Sequence, residues 1–232
     1  MRIFFATILF FTTSISSAQK IEMPVARFIT GDDVTYSYPV TDDSKWKEIR
    51  SDVSWELQSF AKYDGYAWYR FHVFLPLAIK TNSLLKDSLR ISLARVDDVC
   101  EAFFNGTRIG KAGSFPEEKE GYVSAWNQKQ EYHIAANSGF INWNGENVIS
   151  VKVYDGGGAG GIFSAIPYLN MMDLIDAVTI NNHSPVKFNK PGDAKKNIVI
   201  ENNAAEKIVG KFNYDIIDVE NEKTENHSMT VT

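Results

Sequence analysis

The feature that most restricts the fold is an apolar period of two, repeated in five stretches of a 232-residue chain. "AWYRFHVFL" (67–75), "SLRISLARV" (88–96), "CEAFFNGTRIG" (100–110), "QEYHIAA" (130–136) and "NVISVKVY" (147–154) are each rich in β-branched and aromatic residues. Such alternation sends neighbouring side chains to opposite faces of a strand. Turn signals stand among them at Asp64-Gly65, Asn105-Gly106 and Asn144-Gly145. Asn105-Gly106 is the sharpest, because a two-residue type I′ hairpin turn needs positive φ at both central positions and Asn-Gly tolerates this best. Together these signals predict an all-β antiparallel β-sandwich from about residue 20 to residue 178. Helix is hinted only in "DDSKWKEI" (42–49) and "YLNMMDLIDAV" (168–178), and the second can equally hold a last strand.

After residue 178 aromatics thin out and Asn and Lys increase, with short strand-like pieces "KNIVIENN" (196–203) and "VGKFNYDIID" (209–218). These suit the opening strands of an immunoglobulin-like sandwich, but the remaining stretch is about half of the roughly 100 residues such a fold uses. Residues 179–232 therefore read as an incomplete immunoglobulin-like β segment of a truncated second domain.

The N-terminus, "MRIFFATILFFTTSISSAQK", places Arg2 before an apolar run over residues 3–11 and ends in the small residues Ser16 and Ala18. That is the layout of a secretory signal peptide over residues 1–18. The uninterrupted apolar run is far shorter than the ~20 residues a membrane helix needs. The expectation is an exported chain, periplasmic or secreted, with no membrane span after cleavage. A formal charge of -5 gives no basic surface for nucleic acid. Cys100 is the only cysteine, which excludes a disulfide framework.

Gly156, Gly158 and Gly161 in "YDGGGAGGIF" (154–163) carry the G-x-G-x-x-G spacing after an apolar run, with Asp176 about twenty residues beyond. A dinucleotide site also requires a helix after the glycines. Here Pro167 removes a backbone donor where the second helical turn belongs, and the surroundings are hairpins. No Gly-Lys-Ser/Thr follows, so a P-loop is excluded. The glycines read as a wide, flexible loop leaving a sheet, with no cofactor.

Catalytic signals are weak. A glycosidase needs two carboxyls at a defined separation, which 29 Asp and Glu residues neither supply nor exclude by count. No G-x-S-x-G occurs, and "TGDD" (30–33) has Asp33 where a Gly-Asp-Ser esterase motif carries serine. His72, His133, His183 and His227 show no metal-binding spacing.

Four segments in order carry a resemblance: "FITGDDVTYSYPVTDDSKWKEI" (28–49), "WELQSFAKYDGYAWYRFHVFLP" (55–76), "LARVDDVCEAFFNGTRIGKAGSFP" (93–116) and "NWNGENVISVKVYDGGGAGGI" (142–162). Over about residues 27–169 the chain resembles the galactose-binding-like jelly roll of family 2 glycoside hydrolases. It is closer still to the version in sialate O-acetylesterases and related exported glycan-degrading proteins. Thr41 replaces an aromatic residue of the family pattern, and "AFFNG" replaces a more usual "VYFNG"; neither touches the fold. The resemblance implies a jelly roll over residues 19–178 that is not itself catalytic, with the catalytic residues in other domains of a parent enzyme. It implies a glycan and the catalytic and immunoglobulin-like domains as partners, and allows a structural calcium.

Sugar recognition needs flat apolar surface beside planar polar groups. Trp126, with Tyr122 and Asn127 nearby, stands in a long loop, whereas Trp143 beside a turn reads as structural. Arg70 alternates with Tyr69 and Phe71 and reads either as the partner of a carboxylate or as a ligand contact. Asp98, with Asp97 at a strand end, reads as a loop cap, a cation ligand or a ligand contact; Asp155, opening the glycine loop, is the carboxylate best placed for an exposed role and reads either as the cap of that loop or as a ligand contact. A small hydrolase and a purely structural jelly roll that docks a neighbouring domain stay open beside the glycan-binding reading.

Overall fold

A computed structural model describes residues 2–5, 19–83, 85–172, 177–181, 187–190, 193–195, 197–202, 207, 209–218 and 223–231. In chain order the strands are β1 (Arg2–Phe5), β2 (Ile21–Glu22), β3 (Val25–Thr30), β4 (Lys47–Arg50), β5 (Gly65–Leu75), β6 (Ser88–Asp97), β7 (Val99–Phe104), β8 (Thr107–Ala112), β9 (Lys129–Ala135), β10 (Gly145–Asp155), β11 (Gly161–Phe163) and β12 (Tyr168–Met171). After them come β13 (Val178–Asn181), β14 (Lys187–Lys190), β15 (Asp193–Lys195), β16 (Val199–Asn202), β17 (Gly210–Asp218) and β18 (Lys223–Val231). Among the residues described in full, a short helix, α1 (Leu77–Thr81), and two 3₁₀ turns, Val34–Ser37 and Trp55–Gln58, interrupt them. Among the described residues no helix is long and apolar enough to cross a membrane.

The chain divides into two compact units, Ala18–Met172 and the remainder. In the smaller, β17 pairs with β18 and with β1, β13 with β16, and β14 with β15, all antiparallel. Of the stretch 1–18 expected to be a signal peptide, Met1 and residues 6–18 lie outside the described residues, as do Asp176 and His183.

The larger unit is a sandwich. One sheet runs β4-β3-β5-β10-β7-β8; in the other, β6 has β9 on one side, β12 and β11 along the other, and β2 beyond β12. Every pairing is antiparallel. Period two puts Ala67, Tyr69, Phe71, Val73 and Leu75 of β5 and Ile149, Val151 and Val153 of β10 into one core with Leu89, Ile91 and Leu93 of β6. Rings of Phe28 and Tyr69 meet edge to face at 4.9 Å, and those of Phe28 and Phe60 at 4.7 Å. A bulge in β6 between Ser92 and Ala94 shifts the alternation, so that Val96 joins the core instead of Arg95.

Asn105 (φ 47) and Gly106 (φ 81) form the two-residue turn between β7 and β8, as their sequence predicts. The hinted helix at 42–49 is absent: residues 44–45 form a turn, and β4 begins at Lys47. Residues 168–171 take the alternative of a strand, because Leu169 and Met171 bury against β6 while Asn170 receives the Arg90 Nε–H at 2.9 Å.

Candidate functional site

Two clusters contain the residues singled out in the sequence. The first lies on the outer face of β5, where alternation turns Trp68, Arg70 and His72 away from the sandwich core. Arg70 is fully buried beneath residues 31–46. Its Nε donates to Asp43 Oδ2 at 2.7 Å, and Nη1 donates to the carbonyls of Tyr36 (2.6 Å) and Tyr38 (2.9 Å). His72 bridges Asp43 (2.8 Å) and Glu146 (2.6 Å) through its two ring nitrogens. Burial works against the imidazolium, but the hydrogen bonds and charges of Asp43 and Glu146 outweigh it and raise the His72 pKa. Burial likewise opposes the Asp43 charge, yet Arg70 and His72 hold its carboxyl below the usual value. With Nη2 donating to the Thr41 carbonyl at 3.3 Å, all three nitrogens of the Arg70 guanidinium are turned to the protein itself. It clamps the β3–β4 segment onto the sheet and presents no atom to a ligand.

The second cluster sits at one end of the sandwich, where β6, β7, β10 and β11 meet. Asp155 continues the inward parity of Ile149, Val151 and Val153, which is why it is fully buried rather than exposed. It caps the loop it opens, Oδ1 accepting the Gly157 N–H at 2.8 Å. Asp98 Oδ2 accepts the Gly156 N–H at 2.9 Å, and Oδ1 accepts the Ser124 hydroxyl at 2.5 Å. The Ala125 N–H also reaches the Asp98 carbonyl at 2.8 Å. The long loop between β8 and β9 is therefore fastened to Asp98 from one side and the glycine loop from the other. Glu56, in the 3₁₀ turn after β4, completes the set by accepting the Gly160 N–H at 3.0 Å.

The glycines have structural causes. A Cβ on Gly160 would stand 2.3 Å from the Trp55 ring and 2.4 Å from Asp155 Oδ2; one on Gly156 would stand 2.7 Å from the Tyr122 hydroxyl. No helix follows them. β11 carries the chain from one sheet into the other, so the nucleotide fingerprint has no phosphate-binding helix behind it. The loop expected to be flexible is pinned at three amides.

Trp126 is 50% exposed and Tyr122 45% exposed; the Ser114–Val123 pair closes the part of the β8–β9 loop that holds Tyr122, and Trp126 follows that pair. Tyr122 leans on Tyr154, ring centroids 5.6 Å apart, and Asn127 is exposed next to Trp126. Five of the six sequence candidates thus gather here: Tyr122, Trp126 and Asn127 at the surface, Asp98 and Asp155 beneath them. Arg70 belongs to the other cluster. Trp143 is half-buried, its Nε1 donating to the Ala136 carbonyl at 3.1 Å, in agreement with its structural reading.

Electrostatically the end of the sandwich is crowded with acid. Burial, then the hydrogen bond and charge of Asp98, push the Asp97 carboxyl up to about 7. Burial and the charges of Glu56, Asp98 and Asp64 push Asp155 up to about 6, against the Gly157 N–H. Burial opposes ionisation of Asp98 too, but hydrogen bonds from Ser124, Tyr122, Asp97 and Gly156 hold it low. Of these two neighbours Asp98 is therefore the stronger acid and Asp97 the weaker. Even so, no group of three or more His, Cys, Asp or Glu among the described residues is placed to hold a metal ion.

No protein family and no curated protein matches the chain in sequence. Solved structures do. A β-glucuronidase of an uncultured Clostridium sp. is similar over 97% of this chain and 41% of its own, at 14% identity and TM-score 0.56. A glycosyl hydrolase family 2 member from Bacteroides cellulosilyticus is similar over 91% and 36%, at 13% identity and TM-score 0.53. This chain shares its fold with part of these glycosidases. A β-glycosidase from Bacteroides vulgatus adds a third likeness, over 92% of this chain and 28% of its own, at 18% identity and TM-score 0.54. The chain spans less than half the length of each.

Proposed function

We propose that this chain is a non-catalytic carbohydrate-binding or accessory module of an exported glycan-degrading enzyme. The observation that carries the reading is the exposed pair Trp126 and Tyr122, standing over a buried acidic base that fixes both their loop and the neighbouring glycine loop. Flat aromatic surface suits the C–H faces of a pyranose, and Asn127 supplies both a donor and an acceptor for its hydroxyls. A fold shared with part of much longer glycosidases supports a parent enzyme of the family 2 type. The sequence motifs extend that to the sialate O-acetylesterase type. Glycan and the parent's catalytic and immunoglobulin-like domains are the partners, and the leader over residues 1–18 directs the whole to the periplasm or outside the cell.

The test is a glycan array probed with the mature protein, followed by titration of any glycan it retains. Saturable binding that Trp126→Ala removes supports the reading; retention of no glycan refutes it. A structural jelly roll that docks a catalytic domain is the second reading, favoured by the burial of Arg70 and Asp155, which leaves two of the six candidates without access to ligand.

A further inference from the structure

Three carboxylates reach the loop between β10 and β11 from three separated parts of the chain, and each takes one amide: Asp98 that of Gly156, Asp155 that of Gly157, Glu56 that of Gly160. Two of them keep an oxygen that is buried and without a hydrogen-bond partner, Asp155 Oδ2 and Glu56 Oε2. Asp155 is wholly buried, and its orphan oxygen points at Gly160 and the Trp55 ring. The groups facing this cluster are themselves acidic or neutral. Asp97 and Asp98 come from the β6–β7 junction, Asp64 from the turn before β5, the Tyr69 hydroxyl from β5, and the Tyr122 hydroxyl from the β8–β9 loop. Among the described residues no Lys, Arg or His forms an ion pair with any of the five carboxylates.

Buried like charges with unpaired oxygens cannot all stay ionised; some must take up protons or the structure holding them must open. We propose that this cluster is a proton-operated latch: protonated, it clamps the glycine loop and the Tyr122–Trp126 loop together through Asp98, and on losing those protons it releases both. The shifts of Asp97 and Asp155, up to about 7 and about 6, place the change near neutral pH. The sign follows from their direction. Folded pKa values above the unfolded ones mean that the clamp is fully present below the unfolded carboxyl range and is lost as pH rises through the folded values. The latch does not depend on the glycan reading, since it is a property of the protein alone.

The experiment is amide hydrogen exchange by mass spectrometry on the mature protein, at about pH 5 and about pH 8, corrected for intrinsic rates. Residues 156–161 should lose protection at the higher pH, by about tenfold per pH unit for each linked proton until its folded pKa is passed, while β7 and β10 hold theirs. Asp97→Asn keeps a donor toward Asp98 and Asp155→Asn keeps the acceptor for Gly157, so each should retain protection at the higher pH. Equal protection of the wild-type loop at both pH values overturns the latch, as does a loss that survives in both variants. Restoration of protection by added calcium at the higher pH also overturns it, in favour of a cation site.

Discussion

Replacing Arg70 with Met keeps the length of the side chain and removes its charge, which separates a clamp from a ligand contact. In the wild type the guanidinium holds Asp43 at 2.7 Å and the carbonyls of Tyr36 and Tyr38 at 2.6 and 2.9 Å, with that of Thr41 at 3.3 Å. The carbonyls belong to a partly exposed segment and can turn to water, so they account for a small part of the loss. Asp43 is the larger part: only 8% exposed, it keeps His72 but loses its permanent cation. Removing one member of a buried ion pair costs about 3–5 kcal/mol, because the other stays buried with its charge uncompensated. In a unit of this size that is roughly a 10 °C fall in Tm, at about 2–4 °C per kcal/mol. Urea denaturation of the protein, followed by tryptophan fluorescence, reads the change. Adding Asp43→Asn to the same chain should recover part of the stability, since the lone charge then disappears. A loss below about 1 kcal/mol, with the double variant no better than the single, would refute the clamp.

Gly161→Ala should be destabilising by about 2 kcal/mol or more, since its φ of +100° strains an L residue and the new Cβ would lie 2.2 Å from the Tyr69 hydroxyl; a Tm within error of wild type contradicts this packing. His72→Gln tests the bridge between Asp43 and Glu146 through pH. With a raised folded pKa, the contribution of His72 is complete below its unfolded pKa and lost as pH rises through the folded one, so wild type and variant should converge in stability from mildly acidic to alkaline pH. A gap that stays constant across that range contradicts the bridge.

Much of the larger unit is legible in the sequence because its signals are local. Alternation in "AWYRFHVFL" sets which face of β5 meets the core, and Asn105-Gly106 encodes its own dihedral angles. What the sequence does not show is where distant residues meet. Glu56 enters the loop cluster from 104 positions before Gly160, and nothing in "SWELQS" marks it. Asp43 stands in a stretch whose spacing suggests a helix, yet Arg70 holds its carboxylate there and the carbonyls of Tyr36, Tyr38 and Thr41 just before it. Asp155 reads as exposed because it borders five glycines, while its strand parity, also present in the sequence, puts it inside. The bulge at Ala94 has no local signature and follows from pairing with β9.

The most direct test of the glycan-binding account is to record the tryptophan indole N–H signals of the protein while titrating a glycan retained on the array. The account predicts that the Trp126 signal shifts saturably while those of the buried Trp55 and Trp68 stay in place, and that Trp126→Ala abolishes binding with stability changed by less than about 0.5 kcal/mol. A Trp126 signal that does not move while the glycan binds elsewhere, or full binding by Trp126→Ala, would contradict it.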